Sequence, residues 1–461
     1  MNLRMSDKHI PLALVALYIF IGIAWSLVTP TQELTLPDNL PKAIMSVPNV
    51  YGLGPDEKEH QLYIQSIANG KGIPAPDLKA RRGDDSYVSY QAQHPPLFYA
   101  VMALPWSVTA TAGNSIAIQV VRILCVLFGA LTGWMTYCIG LRLFAGRQRA
   151  ILMQSIVLFT PMFGHMTGNI SNEPMAMALV SVALYKVVSA SKEKAFATLL
   201  WASLCMGLAI MTRLTAAVWL PGFILLLAQR NHALRDLARS FSVMFLPLIL
   251  WIIRNQLEFG KPIIRTFHRP LLDASHTFVD LAVKGITIDG AGVTLSLPTI
   301  LLWVAGCSAI PMWLMQFNMP IDIMIWSLLC MGSAVAILII TLNHMSAVRR
   351  GLRMDATREI RFFRGVALSA IILAVGGLLQ QLFFSDWDVV FSTGRYSITA
   401  VIGGATLVTG VVCGYEPKPR ARALAISMVV ALVCIDAYSV WLVRQFYTQR
   451  PTQDSIQYVE K

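Results

Sequence analysis

One short stretch of the sequence, YGLGPDEKEHQLYIQSIANGKG at positions 51–72, gathers side chains that can move protons or bind cations. Asp56 and Glu57 supply carboxylates, His60 supplies an imidazole and Tyr63 supplies a phenol. Asp56, His60 and Tyr63 follow the i, i+4, i+7 spacing of one helix face. The spacing therefore predicts a short helix that presents an acid, an imidazole and a phenol side by side.

This helix also has simpler explanations, which the stretch by itself leaves open. Pro55 suits the first position of a helix, and Gly70 suits its end. Acidic residues in the first turn, such as Glu57, are favoured by the helix dipole whether or not they do chemistry. Glu57-x-x-His60 could instead be half of a metal site. A divalent metal is therefore left open as a cofactor, and no other cofactor is indicated.

Further ionisable side chains lie at the ends of apolar runs. They are His94 in YQAQHPPLFY, Glu173 in ISNEPM, Arg213 in IMTRLT, Arg254 in WIIRNQLEF, and Arg395 with Tyr396 in FSTGRYS. Each one alone can be explained as an acid at a helix start or a cation that reaches for the membrane surface. Together they would place carboxylates and guanidinium groups around one space at the level of the membrane face.

That set of groups suits the transfer of a sugar from a lipid phosphate. The acceptor hydroxyl must lose its proton to a base as it attacks the anomeric carbon. Cationic groups must hold the departing phosphate, and arginine forms strong paired contacts with phosphate oxygens. Because the lipid chain of the donor stays in the bilayer, such a site has to lie at the membrane face.

The composition indicates an integral membrane protein. Of the 461 residues, 56% are hydrophobic and only 13% are charged, against about 25% charged in soluble proteins. Apolar runs long enough for membrane helices recur along the chain, and a β-barrel would show alternating segments instead. The seven cysteines lie in apolar surroundings and suggest neither a disulfide framework nor a metal site.

The net charge of +12 falls mainly in short connections between apolar runs, which is the pattern of cytoplasmic loops. Nucleic acid is therefore not an expected partner. This charge pattern predicts eleven membrane helices, near 10–29, 115–144, 149–170, 174–191, 195–212, 214–229, 239–254, 320–341, 365–384, 397–414 and 422–443. The segments 30–114 and 255–318 become external loops, the first of them catalytic. Within them, 95–110 and 298–317 are predicted to be interfacial helices, with a re-entrant path left open.

Several motifs together resemble the GT-C superfamily of polyprenyl-phosphate-sugar-dependent glycosyltransferases. They are PDE followed by xxH, HPPLFY, NEP, GLAIMTRLTAAVWLP, WIIRNQLEFGKP and GRY. The branch with the most similar pattern holds the aminoarabinose transferases and the protein O-mannosyltransferases. The resemblance covers roughly 10–415 and implies an all-α polytopic membrane protein with a single GT-C domain over 1–461.

The resemblance also implies roles for individual residues. Asp56 would be the catalytic base, with Glu57 beside it, and Glu173 would help to shape the site. The residues His94, Arg213 and Arg395 would lie near the donor phosphate, and the further site candidates are His60, Tyr63, Arg254 and Tyr396. One departure stands out, because Gln93 and His94 replace the acid and lysine that aminoarabinose transferases have before the proline. This departure argues against a metal site shared with those enzymes, while metal dependence as such stays open.

The implied function is an inverting glycosyltransferase that moves a monosaccharide from a polyprenyl-phosphate donor to a hydroxyl of an envelope glycan, lipid or protein. Its expected location is the bacterial cytoplasmic (inner) membrane, among membrane lipids, with the active site facing the periplasm. Two other classes stay open. A polysaccharide ligase or polymerase would rely on arginines in a large late external loop. A secondary transporter would use ionisable residues inside the membrane, for which Asp436 and Arg122 are the candidates.

Overall fold

The computed structural model describes residues 9–31, 57–75, 92–144, 147–189, 195–228, 234–262, 286–288, 293–295, 401–413 and 419–448. These residues are almost entirely helical, which confirms the predicted helical membrane fold class. Some predictions fall on other parts of the chain. Outside the described residues lie Asp56, Arg395, Tyr396, the segment 298–317 and the predicted membrane helices 320–341 and 365–384.

The helices run from one end of the described chain to the other. The α-helices are α1 (Ile10–Val28), α2 (Glu57–Ala68), α3 (Leu97–Thr109), α4 (Asn114–Leu143), α5 (Arg147–Leu158), α6 (Pro161–Thr167), α7 (Glu173–Ser189), α8 (Ala195–Thr212), α9 (Leu220–Ala228), α10 (Leu234–Phe259), α11 (Val401–Cys413) and α12 (Pro419–Thr448). Short 3-10 helices occupy Ala110–Ala112 and Leu214–Trp219. The strands β1 (Ile286–Ile288) and β2 (Val293–Leu295) pair antiparallel, with Thr287 opposite Thr294.

Most predicted helix limits agree with the structure to within a few residues, but two predicted helices are broken. The predicted helix 149–170 divides into α5 and α6, because Thr160 is extended and Pro161 starts a new helix. The predicted helix 214–229 begins instead with the 3-10 helix Leu214–Trp219, and α9 follows with Pro221 as its second residue. The small hairpin of β1 and β2, within the predicted external loop 255–318, was not expected from the sequence.

Among the described helices, three are long and apolar enough to cross a membrane: α1, α4 and Arg235–Phe259 of α10. Shorter apolar helices accompany them, including Phe196–Thr212 and Ala425–Trp441. On α10 the large apolar side chains Leu246, Leu250 and Leu257 are more than half exposed. Such a surface is expected where a helix faces lipid rather than water, because lipid tails are as apolar as leucine.

Helix α4 packs most extensively against α1, α5 and α7, so it occupies the middle of the described bundle. Glycines permit close approach along it. A Cβ at Gly133 would lie 2.1 Å from the Leu158 side chain, and one at Gly140 would lie 2.8 Å from Ala150 Cα. Because the later residue of α4 meets the earlier residue of α5, these two helices run antiparallel.

The helices of the first loop, α2 and α3, pack on each other beside the start of α4. The inner face of α3 buries Phe98 and Tyr99 completely. Its outer face exposes Val101, Leu104 and Val108, and Leu104 is 72% exposed. A short helix with one buried and one exposed apolar face fits the predicted position in the membrane interface.

The last described helix, α12, contacts the first, α1. Trp25 of α1 donates its indole N–H to Asp436 Oδ1 of α12 at 3.1 Å, and both side chains are fully buried. His165 of α6 lies edge-on to the Trp25 ring, with 5.5 Å between ring centroids. The first and last described helices therefore meet inside the bundle, close to the end of α1 that faces the first-loop helices.

Candidate active site

Arg122 and Glu57 form a buried ion pair that joins α4 to α2. Arg122 Nε donates to Glu57 Oε1 and Arg122 Nη2 donates to Oε2, each at 2.7 Å. Both side chains have 0% exposure. This two-bond geometry between guanidinium and carboxylate is among the stronger polar contacts in proteins. Since Arg122 lies about 12 Å from the start of α4, counted at about 1.5 Å per residue, the pair holds the start of α2 down against a membrane helix.

The remaining N–H groups of Arg122 bind the end of α1. Nη1 donates to Ser26 O at 3.0 Å and to Thr29 O at 2.7 Å, and Nη2 donates to Pro30 O at 2.8 Å. Carbonyls at a helix C-terminus have no partner within the helix, and they attract cations. All five N–H groups of this guanidinium are therefore engaged, and Arg122 ties together α1, α2 and α4.

Glu57 makes a third contact that anchors it to the segment between α6 and α7. Its Oε1 atom accepts a hydrogen bond from the backbone N–H of Ile170 at 2.9 Å. A carboxylate whose two oxygens already face a guanidinium does not fit a metal ligand, so Glu57 and His60 do not form the metal site left open by their spacing. In the part of the chain that the structure describes, no group of three or more His, Cys, Asp and Glu could hold a metal ion.

A second buried ion pair lies beside the first. Arg213, directly after α8, brings Nη1 to 2.6 Å from Oε1 of Glu173, the first residue of α7. Nη1 also donates to Asn172 Oδ1 at 2.6 Å, and Nε donates to Thr215 Oγ1 at 2.9 Å. The Ser171 hydroxyl contacts the other oxygen of Glu173. Glu173 and Arg213, which the sequence analysis expected around one common space, thus contact each other directly at the ends of two helices.

Asn172 connects this ion pair to the first-loop helices. Its Nδ2 atom donates to Thr212 O at 3.3 Å and to Tyr99 Oη at 3.5 Å. Tyr99 Oη also lies 3.0 Å from His60 Nδ1. His60 is 2% exposed and its ring lies against those of Phe98 and Tyr99. A continuous polar chain therefore leads from Arg213 to the helix that begins at Glu57.

Tyr63 stacks on Tyr99 with ring centroids 3.7 Å apart and an interplanar angle of 10°. Its ring is 1% exposed, and Tyr63 Oη has no hydrogen-bond partner among the described residues. Burial raises the pKa of the Tyr63 phenol above its ordinary value, and the nearby positive charge of Arg254 opposes that rise. Tyr63 therefore keeps a neutral hydroxyl in a buried position next to a cation.

Arg254 lies in the last turns of α10, where its guanidinium is held between two aromatic rings. Its Cζ atom is 5.0 Å from the centroid of Trp251 and 4.9 Å from that of Phe259. It pairs with Glu258 at 2.5 Å and donates to Asn255 Oδ1 at 3.2 Å. With 22% of its side chain exposed, Arg254 is more accessible than Arg122 and Arg213. Among the described arginines that were predicted for the site, Arg254 is therefore the most accessible to a ligand.

His94 comes just before the prolines that lead into α3, and it is half-buried. The structure thus collects most of the described site candidates at the end of the bundle where α1 and α8 finish and α7 begins. Side-chain contacts through Tyr99 and Asn172 link four of them there, namely His60, Tyr63, Glu173 and Arg213. Glu57 joins the same region through the backbone N–H of Ile170. Arg254 is near enough for its charge to act on Tyr63.

Three residues of this polar cluster were not predicted as site residues: Arg122, Tyr99 and Asn172. A signal for Arg122 was present, because an arginine within an apolar helix needs a carboxylate or several carbonyls around it. Its partners lie far away in the sequence, however, and spacing along one helix could not identify them. Asn172 and Tyr99 lie in the NEP and HPPLFY motifs, but neither bears a charge that would draw attention.

Fold and site together define the class of this protein. It is a polytopic helical membrane protein whose first-loop helices are fastened by buried ion pairs to one end of the bundle. Residues 93–254 match the family model described as dolichyl-phosphate-mannose-protein mannosyltransferase. This match runs from Gln93 to Arg254 and confirms the resemblance to GT-C glycosyltransferases over that part of the chain. Asp56 and α2 lie before this matched region in the sequence.

Two further comparisons were made. A comparison with curated protein sequences gave no match. Among solved structures, the chain is similar to the crystal structure of ArnT from Cupriavidus metallidurans bound to undecaprenyl phosphate. The sequences are 14% identical, the match covers 94% of this chain and 76% of that chain, and the TM-score is 0.47.

Proposed function

We propose that this protein is an inverting glycosyltransferase that takes a monosaccharide from a polyprenyl phosphate and passes it to a hydroxyl acceptor. The observation that carries the proposal is the docking of α2, through Glu57, Arg122 and Ile170, onto the bundle end that holds Glu173 and Arg213. The description of the family matched by residues 93–254 names a dolichyl-phosphate sugar, which supports a lipid-phosphate donor here.

In the proposed reaction, Asp56 removes the proton of the acceptor hydroxyl as its oxygen attacks the anomeric carbon of the sugar. The bond between that carbon and the phosphate oxygen breaks, and its electron pair leaves with the polyprenyl phosphate. Attack from the face opposite to the leaving group inverts the anomeric centre. Asp56 is the residue directly before Glu57, so the Arg122 ion pair would fix the position of the base along the bundle.

The carboxylates Glu57 and Glu173 take supporting roles in this proposal. Each already binds a guanidinium at 2.7 Å or less, so its carboxylate is engaged in holding helices together. Arg213 pairs with Glu173 and donates to Asn172. Its positive charge is therefore shared between these partners and the donor phosphate in this proposal. Arg254, His94 and Arg395 are then the proposed contacts of the departing phosphate, and Tyr396 lies next to one of them in sequence.

Tyr63 is the proposed contact for a sugar hydroxyl. Its buried Oη atom has no hydrogen-bond partner in the described part of the chain, and a buried polar group without a partner is costly unless a ligand supplies one. A sugar hydroxyl can both donate to and accept from a phenol. The acceptor is proposed to approach from the external loops, with the whole site on the periplasmic side of the inner membrane.

The test of function is the release of lipid phosphate. The purified protein in nanodiscs receives undecaprenyl-phosphate-linked mannose, glucose or aminoarabinose, with an envelope lipid and glycan extract as acceptor, and free undecaprenyl phosphate is measured. We expect release by the wild type and a loss of at least about 100-fold in Asp56→Asn, since general bases contribute about 10²–10⁴-fold. Glu59→Gln, which changes a carboxylate three residues further along the chain, is the matched control and should retain activity.

The same assay separates the alternative functions. Wild-type activity in Asp56→Asn would refute Asp56 as the base. A secondary transporter would release no lipid phosphate from any donor, and a polymerase would require a pyrophosphate-linked glycan. The proposed orientation has its own test, in which Tyr90→Cys should react with an impermeant thiol reagent added outside intact cells, while Lys192→Cys should react only from the inside.

A further inference from the structure

The ion pair of Arg254 differs from the buried pairs of the site in its exposure. The Arg254 side chain is 22% exposed and that of its partner Glu258 is 50% exposed, whereas Arg122 and Glu57 are fully buried. Exposed ion pairs contribute little to stability, because water and salt screen them and two long side chains must be ordered. The pair between Arg254 and Glu258 is therefore the one that a ligand can open more easily.

The position of Glu258 in α10 weakens the pair further. Glu258 is the second-last residue of this helix, where the negative end of the helix dipole disfavours a carboxylate. It follows Arg254 by four residues, and a helical pair with the cation on the N-terminal side is the less stable of the two orders. The helix itself therefore disfavours this carboxylate, which stays in place through its contact with Arg254.

The Arg254 guanidinium has contacts besides Glu258 that fix its position. Its Cζ atom lies 5.0 Å from the ring centroid of Trp251 and 4.9 Å from that of Phe259, and Nη1 donates to Asn255 Oδ1 at 3.2 Å. The atom that contacts Glu258 Oε2 is Nη2, at 2.5 Å. Arginine binds phosphate through paired contacts from two nitrogens. A lipid phosphate at Arg254 would therefore need the Nη2 group that the carboxylate occupies.

We propose that Glu258 is an exchangeable counter-ion of the donor site, which occupies Arg254 while the site is empty and gives way to the phosphate of the bound lipid. This inference rests on the proposed function, in which Arg254 contacts the departing phosphate. The donor is a phosphodiester with one negative charge, whereas the released lipid phosphate is a monoester with about 1.5–2 negative charges near pH 7. Competition from Glu258 therefore acts mainly against the product, which would otherwise bind Arg254 more tightly than the donor.

Binding of undecaprenyl phosphate tests the exchange without any assay of transfer. The purified full-length protein in detergent micelles is titrated with this lipid by calorimetry. Glu258→Gln keeps the shape of the side chain and removes its charge, so we expect the Kd to fall about 2–5-fold, which corresponds to the strength of exposed ion pairs. The control, Asp236→Asn, removes the same charge at the opposite end of α10 and should leave the Kd unchanged. A Kd for Glu258→Gln equal to or above that of the wild type would overturn the proposal.

A second pair of variants separates competition for Arg254 from simple repulsion between Glu258 and the phosphate. Arg254→Met should weaken the binding of undecaprenyl phosphate at least about 10-fold, because it removes a charged donor. Adding Glu258→Gln to this variant should change the Kd by less than about 1.5-fold, since no guanidinium remains to compete for. The same decrease in Kd with and without Arg254 would show direct repulsion and would overturn the exchange.

The role in product release has a kinetic test. In the lipid-phosphate release assay, added undecaprenyl phosphate should inhibit Glu258→Gln at about 2–5-fold lower concentration than the wild type, while the donor KM falls by a smaller factor. Equal factors for donor and product would refute the action against the product. If Glu258→Gln left product binding unchanged while the wild type performed the transfer, the counter-ion would be refuted and the proposed function would stand. A wild type that does not bind undecaprenyl phosphate would refute both.

Discussion

The guanidinium of Arg122 and the carboxylate of Glu57 face each other with two hydrogen bonds of 2.7 Å, both side chains fully buried, between the membrane helix α4 and the loop helix α2. Burying two charges is costly, and such a pair is favourable only when the remaining donors and acceptors are also satisfied. Here three carbonyls at and just after the end of α1 and the Ile170 N–H supply those partners. We therefore expect the pair to hold α2 rigidly against α4.

The first prediction concerns the loss of one partner from that pair. Arg122→Met should leave Glu57 buried and unpaired, and should lower the free energy of unfolding by about 3–5 kcal/mol. The double variant Arg122→Met/Glu57→Met should recover part of this loss, because no uncompensated charge remains. Unfolding in mixed micelles with increasing denaturing detergent measures both values.

Arg142→Met is the control for this series, because Arg142 lies exposed near the other end of the same helix. We expect a change within about 0.5 kcal/mol there. If Arg122→Met were no more destabilising than Arg142→Met, the buried ion pair between α2 and α4 would be refuted. The double variant should also remain inactive in lipid-phosphate release, since stability would return without the anchoring of α2.

The second prediction compares two stacked tyrosines. Tyr99 Oη bonds to His60 and Asn172, so Tyr99→Phe should cost about 1–3 kcal/mol by leaving buried partners unsatisfied. Tyr63 Oη has no partner among the described residues, so Tyr63→Phe should leave stability unchanged or raise it. The ring stacking is kept in both variants. Equal costs for the two hydroxyls, measured by the same unfolding titration, would contradict the contacts described for Tyr99.

The third prediction follows from the raised pKa of Tyr63. Burial holds this phenol neutral in the folded state at pH values where it ionises in the unfolded chain, about 10 and above. The unfolded state then binds fewer protons than the folded state, so the free energy of unfolding falls as pH rises through that range. We expect Tyr63→Phe to flatten the alkaline part of the stability profile between pH 9 and about 11. An unchanged slope in this variant would assign the alkaline loss to other groups.

The fourth prediction concerns the contact between α8 and α10. A Cβ added at Gly207 would lie 2.5 Å from Met244 O and 3.1 Å from Met244 Cα, which are backbone atoms and cannot rotate away. Gly207→Ala should therefore destabilise the protein by about 1–3 kcal/mol, even though alanine favours helix over glycine by about 1 kcal/mol. Stabilisation by this substitution would show that the two helices are not in close contact at this point.

Much of the helical framework could be predicted from hydrophobic runs and charge placement, because a membrane helix has to be apolar over its whole length. The predicted limits 10–29, 115–144 and 195–212 lie within a residue or so of α1, α4 and α8. The break at Pro161 was missed because apolar residues continue on both sides of it, although Thr160 followed by Pro161 is a signal for the start of a helix. Hydropathy reports which residues avoid water, and it does not report where the backbone changes direction.

For the site, the sequence predicted which charged residues lie together better than how they pair. Glu173 and Arg213 were expected on one face of the membrane, and the structure joins them at 2.6 Å. Glu57 was expected to act beside Asp56, yet its carboxylate is engaged by Arg122, a residue first considered only for transport. Pairing depends on which helices are neighbours, and a single sequence contains no direct record of that. The catalytic role of Asp56 stays a prediction.

The hydrogen bond between Trp25 and Asp436 joins residues that are 411 positions apart. At about 5–20 residues per second of synthesis, roughly 20–80 s separate the appearance of these two partners. Throughout that interval α1, whose last carbonyls hold Arg122, is already made but lacks its contact with α12. Of the described helices, α1 is synthesised first and α12 last, so the contact that ties α1 to α12 can form only after nearly all of the described chain has been made.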